Sequence, residues 1–285
     1  MEINHHPYVF QTDSNIVQKV YNESDNFLIQ YNENGSQKDY CAIYFSSNDI
    51  YFPNTEYFFQ KRIIDKNFFE WYRLRITKAH KHIFVRDIMK QWHLSGINSR
   101  INTPEKLLAF LRKETSGYKI ITVGSSAGGY AAVLYGSLLQ ADRIFSFNCQ
   151  FELRSLLTNS NEKINPLVFR FANLPVSKFY DLKPFINSTS KIYYFFSSKS
   201  INDIRQQQHI HNTKGIKTIS FQTAHHGIPF PKCALPVVIN MQKKELEKLT
   251  KKRQSPLLFS VKLVGIINTI VGLYQQILQS YRKRR

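Results

Sequence analysis

The sequence predicts an α/β fold, a mainly parallel sheet flanked by helices with an amphipathic helix at its C-terminal end. Three observations point there. Short β-branched or aromatic runs alternate with longer helical patterns along the chain. One run, Lys119–Val123, is apolar after its first residue, as a strand buried on both faces must be. The 285 residues, 42% apolar and 21% charged, suffice for one well-buried domain and argue against disorder.

Taken in order, Phe27–Tyr31 and Tyr40–Phe45 are strand-like. They flank Asn32-Glu33-Asn34-Gly35-Ser36, whose Asn-Gly step signals a hairpin. His82–Arg86 is a third strand. Pro104–Arg112 reads as a helix with Thr103 as N-cap and Pro104 at its first position. Lys119–Val123 is the fourth strand, and Ala127–Leu139 a small-residue helix able to pack close to a sheet. Arg143–Phe147, Ile192–Phe196 and Lys217–Phe221 complete seven strands, with amphipathic helices at Ile204–Thr213 and Lys232–Leu249. Residues 150–190 fall where such folds insert a cap or lid. Residues 1–250 are read as one α/β domain and 251–285 as a basic amphipathic helix.

In that last segment Phe259, Leu263, Ile266, Ile267, Ile270, Tyr274, Ile277, Leu278 and Tyr281 recur at helical spacing. Lys262, Gly265, Thr269, Gly272, Gln276 and Gln279 fall opposite. Lys251-Lys252-Arg253 precedes the helix and Arg282-Lys283-Arg284-Arg285 ends it. The net charge is +19, and residues 241–285 hold eleven Lys or Arg against two Glu. A helix of this kind suits an anionic membrane surface. The alternative is packing on the protein's own body or on a twin subunit. Lys262 and Asn268 interrupt the apolar stretch too soon for a spanning helix. Nucleic acid is disfavoured, because the basic residues bracket an apolar face and form no stripe.

Cys41, Cys149 and Cys233 have no spacing pattern, so neither a disulfide framework nor a zinc site is expected. No other metal-ligand cluster stands out. The opening Met1-Glu2-Ile3-Asn4-His5-His6 has neither a basic nor an apolar signal region. A reducing cytoplasmic location is the expectation, peripheral on the inner face of the cytoplasmic membrane if the tail helix binds there.

The chemistry-bearing signal is Ile121-Thr122-Val123-Gly124-Ser125-Ser126-Ala127-Gly128-Gly129-Tyr130. It is an apolar strand, then Gly-x-Ser-x-Gly, then a small-residue helix, the signature of a nucleophile elbow. Ser126 must stand on a sharp, strained strand-to-helix turn. Gly124 and Gly128 lack a Cβ, so neighbouring backbone can approach that turn. The Ala127 N–H then points at a developing oxyanion. No lysine follows in the position of a phosphate-binding loop, and no G-x-G-x-x-G is present.

A serine needs a base, and the base an acid, in the order Ser, Asp or Glu, His. His225 and His226 follow the last strand. His226 is the preferred base, because Gly227 lets the loop turn, and His225 stays open as the alternative. His209 and His211 fall in a helical pattern. Asp203 is the only carboxylate between Asp181 and Glu245, which makes it the acid. It also suits an N-cap for a helix starting at Ile204. Asp142 and Glu152 lie too soon after the elbow. The second oxyanion donor is expected after the strand Tyr40–Phe45, at the backbone N–H of Ser46 or Ser47.

Over roughly residues 40–240 the chain resembles the α/β-hydrolase-fold O-acetyltransferases of bacterial capsule and surface-glycan synthesis. The resemblance rests on Phe45-Ser46-Ser47, Arg86-Asp87 with Trp92 and Gly96, the elbow Gly124–Tyr130, Asp203, and His226-Gly227-Ile228-Pro229. It departs at Trp92-His93, where the group has Trp-Tyr. It implies acetyl-CoA as a co-substrate with no permanently bound cofactor, an acidic or neutral bacterial polysaccharide as acceptor, and an acetyl-Ser126 intermediate. Two other readings fit the same residues: a serine esterase or lipase using the same triad, and a non-catalytic membrane-associated scaffold of glycan assembly or secretion.

Overall fold

The computed structural model describes residues 6–32 and 37–282. One sheet holds seven strands: β1 (Phe27–Tyr31), β2 (Gln37–Phe45), β3 (Ala79–Val85), β4 (Lys119–Ser125), β5 (Arg143–Phe147), β6 (Ile192–Ser197) and β7 (Ile216–Phe221). Their order is β1-β3-β2-β4-β5-β6-β7. β1 runs antiparallel to β3, and every other pair is parallel. The expected seven strands are all present, in a mixed α/β fold whose mostly parallel sheet is flanked by helices.

The hairpin between the first two strands does not form. β3 lies between β1 and β2, so the two run side by side with a third strand rather than with each other. A turn signal reports only local bending, and pairing is decided by which strand can bury both faces. The Asn-Gly step itself lies at residues 33–36, outside the described residues.

From β2 the chain steps outward to β3, crosses back over β2 to β4, and continues the other way. The connections reverse direction between β2 and β4, and the C-terminal strand ends at such a switch point are where α/β folds place their sites. Period-two alternation sorts the strand side chains onto two faces. Ile43, Phe45, Ile83, Val85, Ile144 and Tyr194 belong to the same core as residues of the helix Ala127–Leu138. Tyr44, Phe84, Val123, Phe145, Phe147, Phe195 and Phe221 form the other face, largely a stack of aromatic rings.

The helices differ in detail from the sequence expectation. Pro104–Glu114 starts as predicted, with the Thr103 hydroxyl accepting from the Lys106 N–H. Lys232–Leu249 is broken into Lys232–Ala234, Leu235–Asn240 and Lys243–Leu249. Pro236 has no N–H to donate and falls in the first turn of the second piece. The helix before β7 begins at Ile201, with Ser200 as its cap, not Asp203. An N-terminal helix, Asn15–Glu23, capped by Ser14, packs Val17 and Val20 beside Tyr51 and Phe59. In the 150–190 segment, Phe151, Leu153, Val168, Phe179 and Tyr180 are buried in the same core as the helix after β4. The Tyr130 hydroxyl donates to the Phe179 carbonyl at 2.5 Å.

The tail forms two helices, Pro256–Val264 and Ile266–Arg282. Gly265 separates them at φ 82, a left-handed conformation that only glycine takes cheaply. Among the described residues no helix is long and apolar enough to cross a membrane. Residues 283–285 of the final basic cluster lie outside the described residues.

Candidate active site

Ser126 sits between β4 and the helix Ala127–Leu138 at φ 54, ψ −120. That conformation costs a non-glycine residue about 1–3 kcal/mol and lifts its side chain clear of the sheet. The two elbow glycines are required by contact. A Cβ on Gly124 would lie 1.9 Å from the Gly128 carbonyl oxygen. One on Gly128 would lie 2.4 Å from the Phe45 carbonyl oxygen and 2.8 Å from that of Ser46. The end of β2 therefore abuts the start of the elbow helix.

His226, in the loop after β7, places Nε2 2.8 Å from Ser126 Oγ and Nδ1 2.9 Å from Asp203 Oδ1. An ionised carboxylate only accepts, so Nδ1 carries the proton and Nε2 is left to accept from the serine. Asp203 is 1% exposed, in the first turn of Ile201–His209, where the helix N-terminus favours negative charge. The His226 side chain is 41% exposed, which leaves the serine–histidine pair open to an incoming substrate.

The other sequence candidates lie elsewhere. The His225 ring reaches neither Ser126 nor Asp203. Its carbonyl is instead held by the Asn148 amide and the Ser197 hydroxyl. Burial, then the charge of Lys232, lowers the His225 pKa. His209 Nε2 meets Asp181 at 2.9 Å. Asp142 pairs with Lys191, and Glu152 accepts the Ser155 N–H. Trp92 donates to Gln150, and His93 is fully buried, its ring edge-on to Phe45. At the position where the sequence departs from the resembled group, the histidine thus packs behind the end of β2. Asp87 fixes this loop by accepting the N–H groups of Met89, Lys90, Gln91 and His93.

The oxyanion expectation is corrected at Ser46. Its N–H donates to the Val85 carbonyl at 3.0 Å, as part of the β2–β3 ladder, and is not free. The Ser47 N–H is also engaged: it donates to Glu70 Oε2 at 2.5 Å, while the Ser47 hydroxyl donates to Oε1 at 2.9 Å. Glu70 is half-buried, and desolvation raises its pKa despite these two hydrogen bonds.

Two residues that sequence reasoning missed organise the site. Glu70 is one. Asn148, at the end of β5, is the other. Its Nδ2 donates to the carbonyls of His225 and Gly227 at 3.2 and 3.0 Å and to Ser197 Oγ at 2.9 Å, and its Oδ1 accepts the Ser197 N–H. Asn148 thus clamps the backbone on both sides of His226. Its φ of 43 is one that asparagine tolerates, and an asparagine directly after a strand was the available signal.

Among the described residues no group of His, Cys, Asp and Glu could hold a metal ion. The exposed Lys232 opens the short helix Lys232–Ala234 that follows the His226 loop, and its charge acts on both His225 and Glu70.

No protein-family model and no curated protein matches the sequence. Among solved structures, the chain is similar to a Staphylococcus aureus subsp. aureus Mu50 protein described as of unknown function, at TM-score 0.48 and 12% identity over 79% of this chain and 94% of that one. It is similar to the capsule O-acetyltransferase of Neisseria meningitidis serogroup A, at TM-score 0.47 and 14% identity over 69% of this chain and 83% of that one. A mutant of that enzyme was solved in complex with CoA. An S-formylglutathione hydrolase from Agrobacterium tumefaciens aligns at TM-score 0.45 and 10% identity, over 80% of this chain and 92% of that one.

Proposed function

We propose that the chain is a serine acyl-transfer enzyme. The observation that carries this reading is the unbroken relay Ser126 Oγ, His226 Nε2, His226 Nδ1, Asp203 Oδ1, with links of 2.8 and 2.9 Å on an elbow turn. Ser126 attacks an acyl carbonyl while His226 takes its proton, and Asp203 steadies the imidazolium. The Ala127 N–H, the first of its helix, faces the oxygen that gains charge. The tetrahedral species collapses, the leaving group departs with the proton held by His226, and acyl-Ser126 remains. A second hydroxyl gives its proton to His226, attacks the ester and frees the serine.

Ser47 supplies a second oxyanion donor once Glu70 lets go of its N–H. The carboxylate competes with the oxyanion for that donor and places like charge beside it. Glu70→Gln keeps the shape and weakens the competitor, so turnover at neutral pH rises at least about threefold. An unchanged or lower rate contradicts the competition. The pH dependence of stability has a definite sign. The folded-state pKa of Glu70 is raised, so the folded chain binds the proton more tightly than the unfolded one. Folding therefore loses stability as pH rises above the ordinary 4.5 through the raised value. The melting-temperature advantage of Glu70→Gln over wild type grows across that window and vanishes below it.

The finer reading is an O-acetyltransferase: acetyl-CoA as donor, a hydroxyl of a bacterial surface polysaccharide as acceptor. The residues that resemble that group support it, as does a basic chain facing CoA phosphates or an anionic glycan, with Lys232 beside the site. The test follows acetyl groups released from acetyl-CoA with and without O-deacetylated capsular polysaccharides. A transferase moves most of the acetyl to a glycan hydroxyl. Thiol release at the same rate with all acetyl recovered as acetate identifies an esterase, which uses water as acceptor.

A further inference from the structure

The tail presents its faces in the reverse of the usual order. A surface helix normally turns its apolar stripe to the core and its polar face to water. The first tail helix follows this at one position: Phe259 is 5% exposed and packs its ring 5.0 Å from Phe221 and 5.1 Å from Phe230. After Gly265 the phase changes. In Ile266–Arg282 the small and polar residues dock on the body. Thr269 is buried, Gly272 lies so close to Cys233 that a Cβ would sit 2.6 Å from its Cβ, and Gln276 accepts the Lys232 N–H at 3.0 Å. Ile266, Ile267, Ile270, Tyr274 and Ile277 are each more than 60% exposed. Leu257 and Leu258, on the helix before, are exposed as well.

We propose that this outward face lies in an anionic membrane surface, parallel to it, and that the tail is the protein's membrane-docking element. Charge selects the occupant. Residues 251–285 contain eight Lys or Arg and no Asp or Glu, on a chain of net charge +19. A second copy of the chain would bring the same positive charge against itself, whereas anionic headgroups neutralise it. The exposed Lys262 and the run Lys251-Lys252-Arg253 sit at the start of the apolar face, where headgroups would meet them. Tyr274 has the amphipathic ring favoured at a membrane–water interface. The face is too short and interrupted to span, so the helix lies in the interface. The docked side of this helix holds Lys232 and Cys233, a few residues beyond His226, so the active-site loop is kept near the surface the tail binds.

The test floats the full-length protein with vesicles of phosphatidylcholine alone and of phosphatidylcholine mixed with phosphatidylglycerol. The mixed vesicles bind at least about tenfold more tightly, and added salt weakens the binding. The combined variant Ile267→Ser, Ile270→Ser, Ile277→Ser loses that binding by about tenfold or more, while its Ser126 still reacts with a serine-directed phosphonate. In Tyr274→Trp, fluorescence shifts to the blue when mixed vesicles are added. Three results overturn the proposal: no binding to mixed vesicles, binding that the triple variant retains in full, or a dimer in sedimentation that the triple variant dissociates, which would make a second copy the occupant.

Discussion

Ser126→Ala lowers acyl-transfer turnover by about a millionfold, as removal of one member of a fully assembled triad does. The variant keeps the elbow, the His226–Asp203 link and the Ala127 N–H, but it has no atom on which to hold the acyl group. The residual rate over the uncatalysed reaction reflects the oxyanion donor alone. Folding is little affected, because alanine at φ 54 carries the same backbone strain as serine and only one hydrogen bond is lost. A loss of activity with an unchanged melting temperature therefore reports chemistry. A variant that keeps even a tenth of wild-type turnover would show that Ser126 is not the nucleophile.

The second large effect is at Asp203. Asp203→Asn is expected to cost about ten-thousandfold in kcat near neutral pH, with KM little changed. The buried carboxylate only accepts, so it selects the tautomer with the proton on Nδ1 of His226. An amide can turn its NH2 toward the ring and stabilise the opposite tautomer, which points a proton at Ser126. It also withdraws the negative charge that balances the imidazolium. No substitute is at hand, since Asp142 is paired with Lys191 and Glu152 with the Ser155 N–H. A kcat within tenfold of wild type would contradict the orienting role. The pH profile of the remaining activity separates the two contributions, because the asparagine variant recovers rate as alkaline pH removes the misplaced proton.

Much of this site was legible in the residues because its parts obey local rules. The elbow needs Gly124 and Gly128 for contacts that reach no further than the end of β2, and Ile120, Ile121 and Val123 of β4 are apolar because both faces of that strand are covered. Asp203 and His226 follow the last two strands, and a parallel sheet brings all its C-terminal strand ends to one edge. What stayed hidden depends on pairs distant in sequence. Nothing about Glu70 alone says that its carboxylate holds Ser47, and nothing about Asn148 says that it grips two carbonyls of a loop far along the chain. The oxyanion position at Ser46 failed for the same reason, because its N–H is claimed by β3. The misread hairpin and the tail share a different cause. An Asn-Gly step and a helical apolar period are real local signals, yet an inserted strand and a single glycine at Gly265 decide what they pair with and which way they face.

The central claim, that Ser126 is an activated nucleophile, is tested most directly by the intact mass of the protein after brief exposure to acetyl-CoA and, separately, to a serine-reactive phosphonate. The account predicts a phosphonate adduct on wild type that maps to Ser126, an acetyl adduct at the same residue if acetyl-CoA is the donor, and neither on Ser126→Ala. A phosphonate adduct without an acetyl adduct leaves the nucleophile in place and removes acetyl-CoA as its donor. Wild-type protein that takes up neither reagent would contradict the account, leaving a hydrogen-bonded serine, histidine and aspartate that perform no acyl transfer.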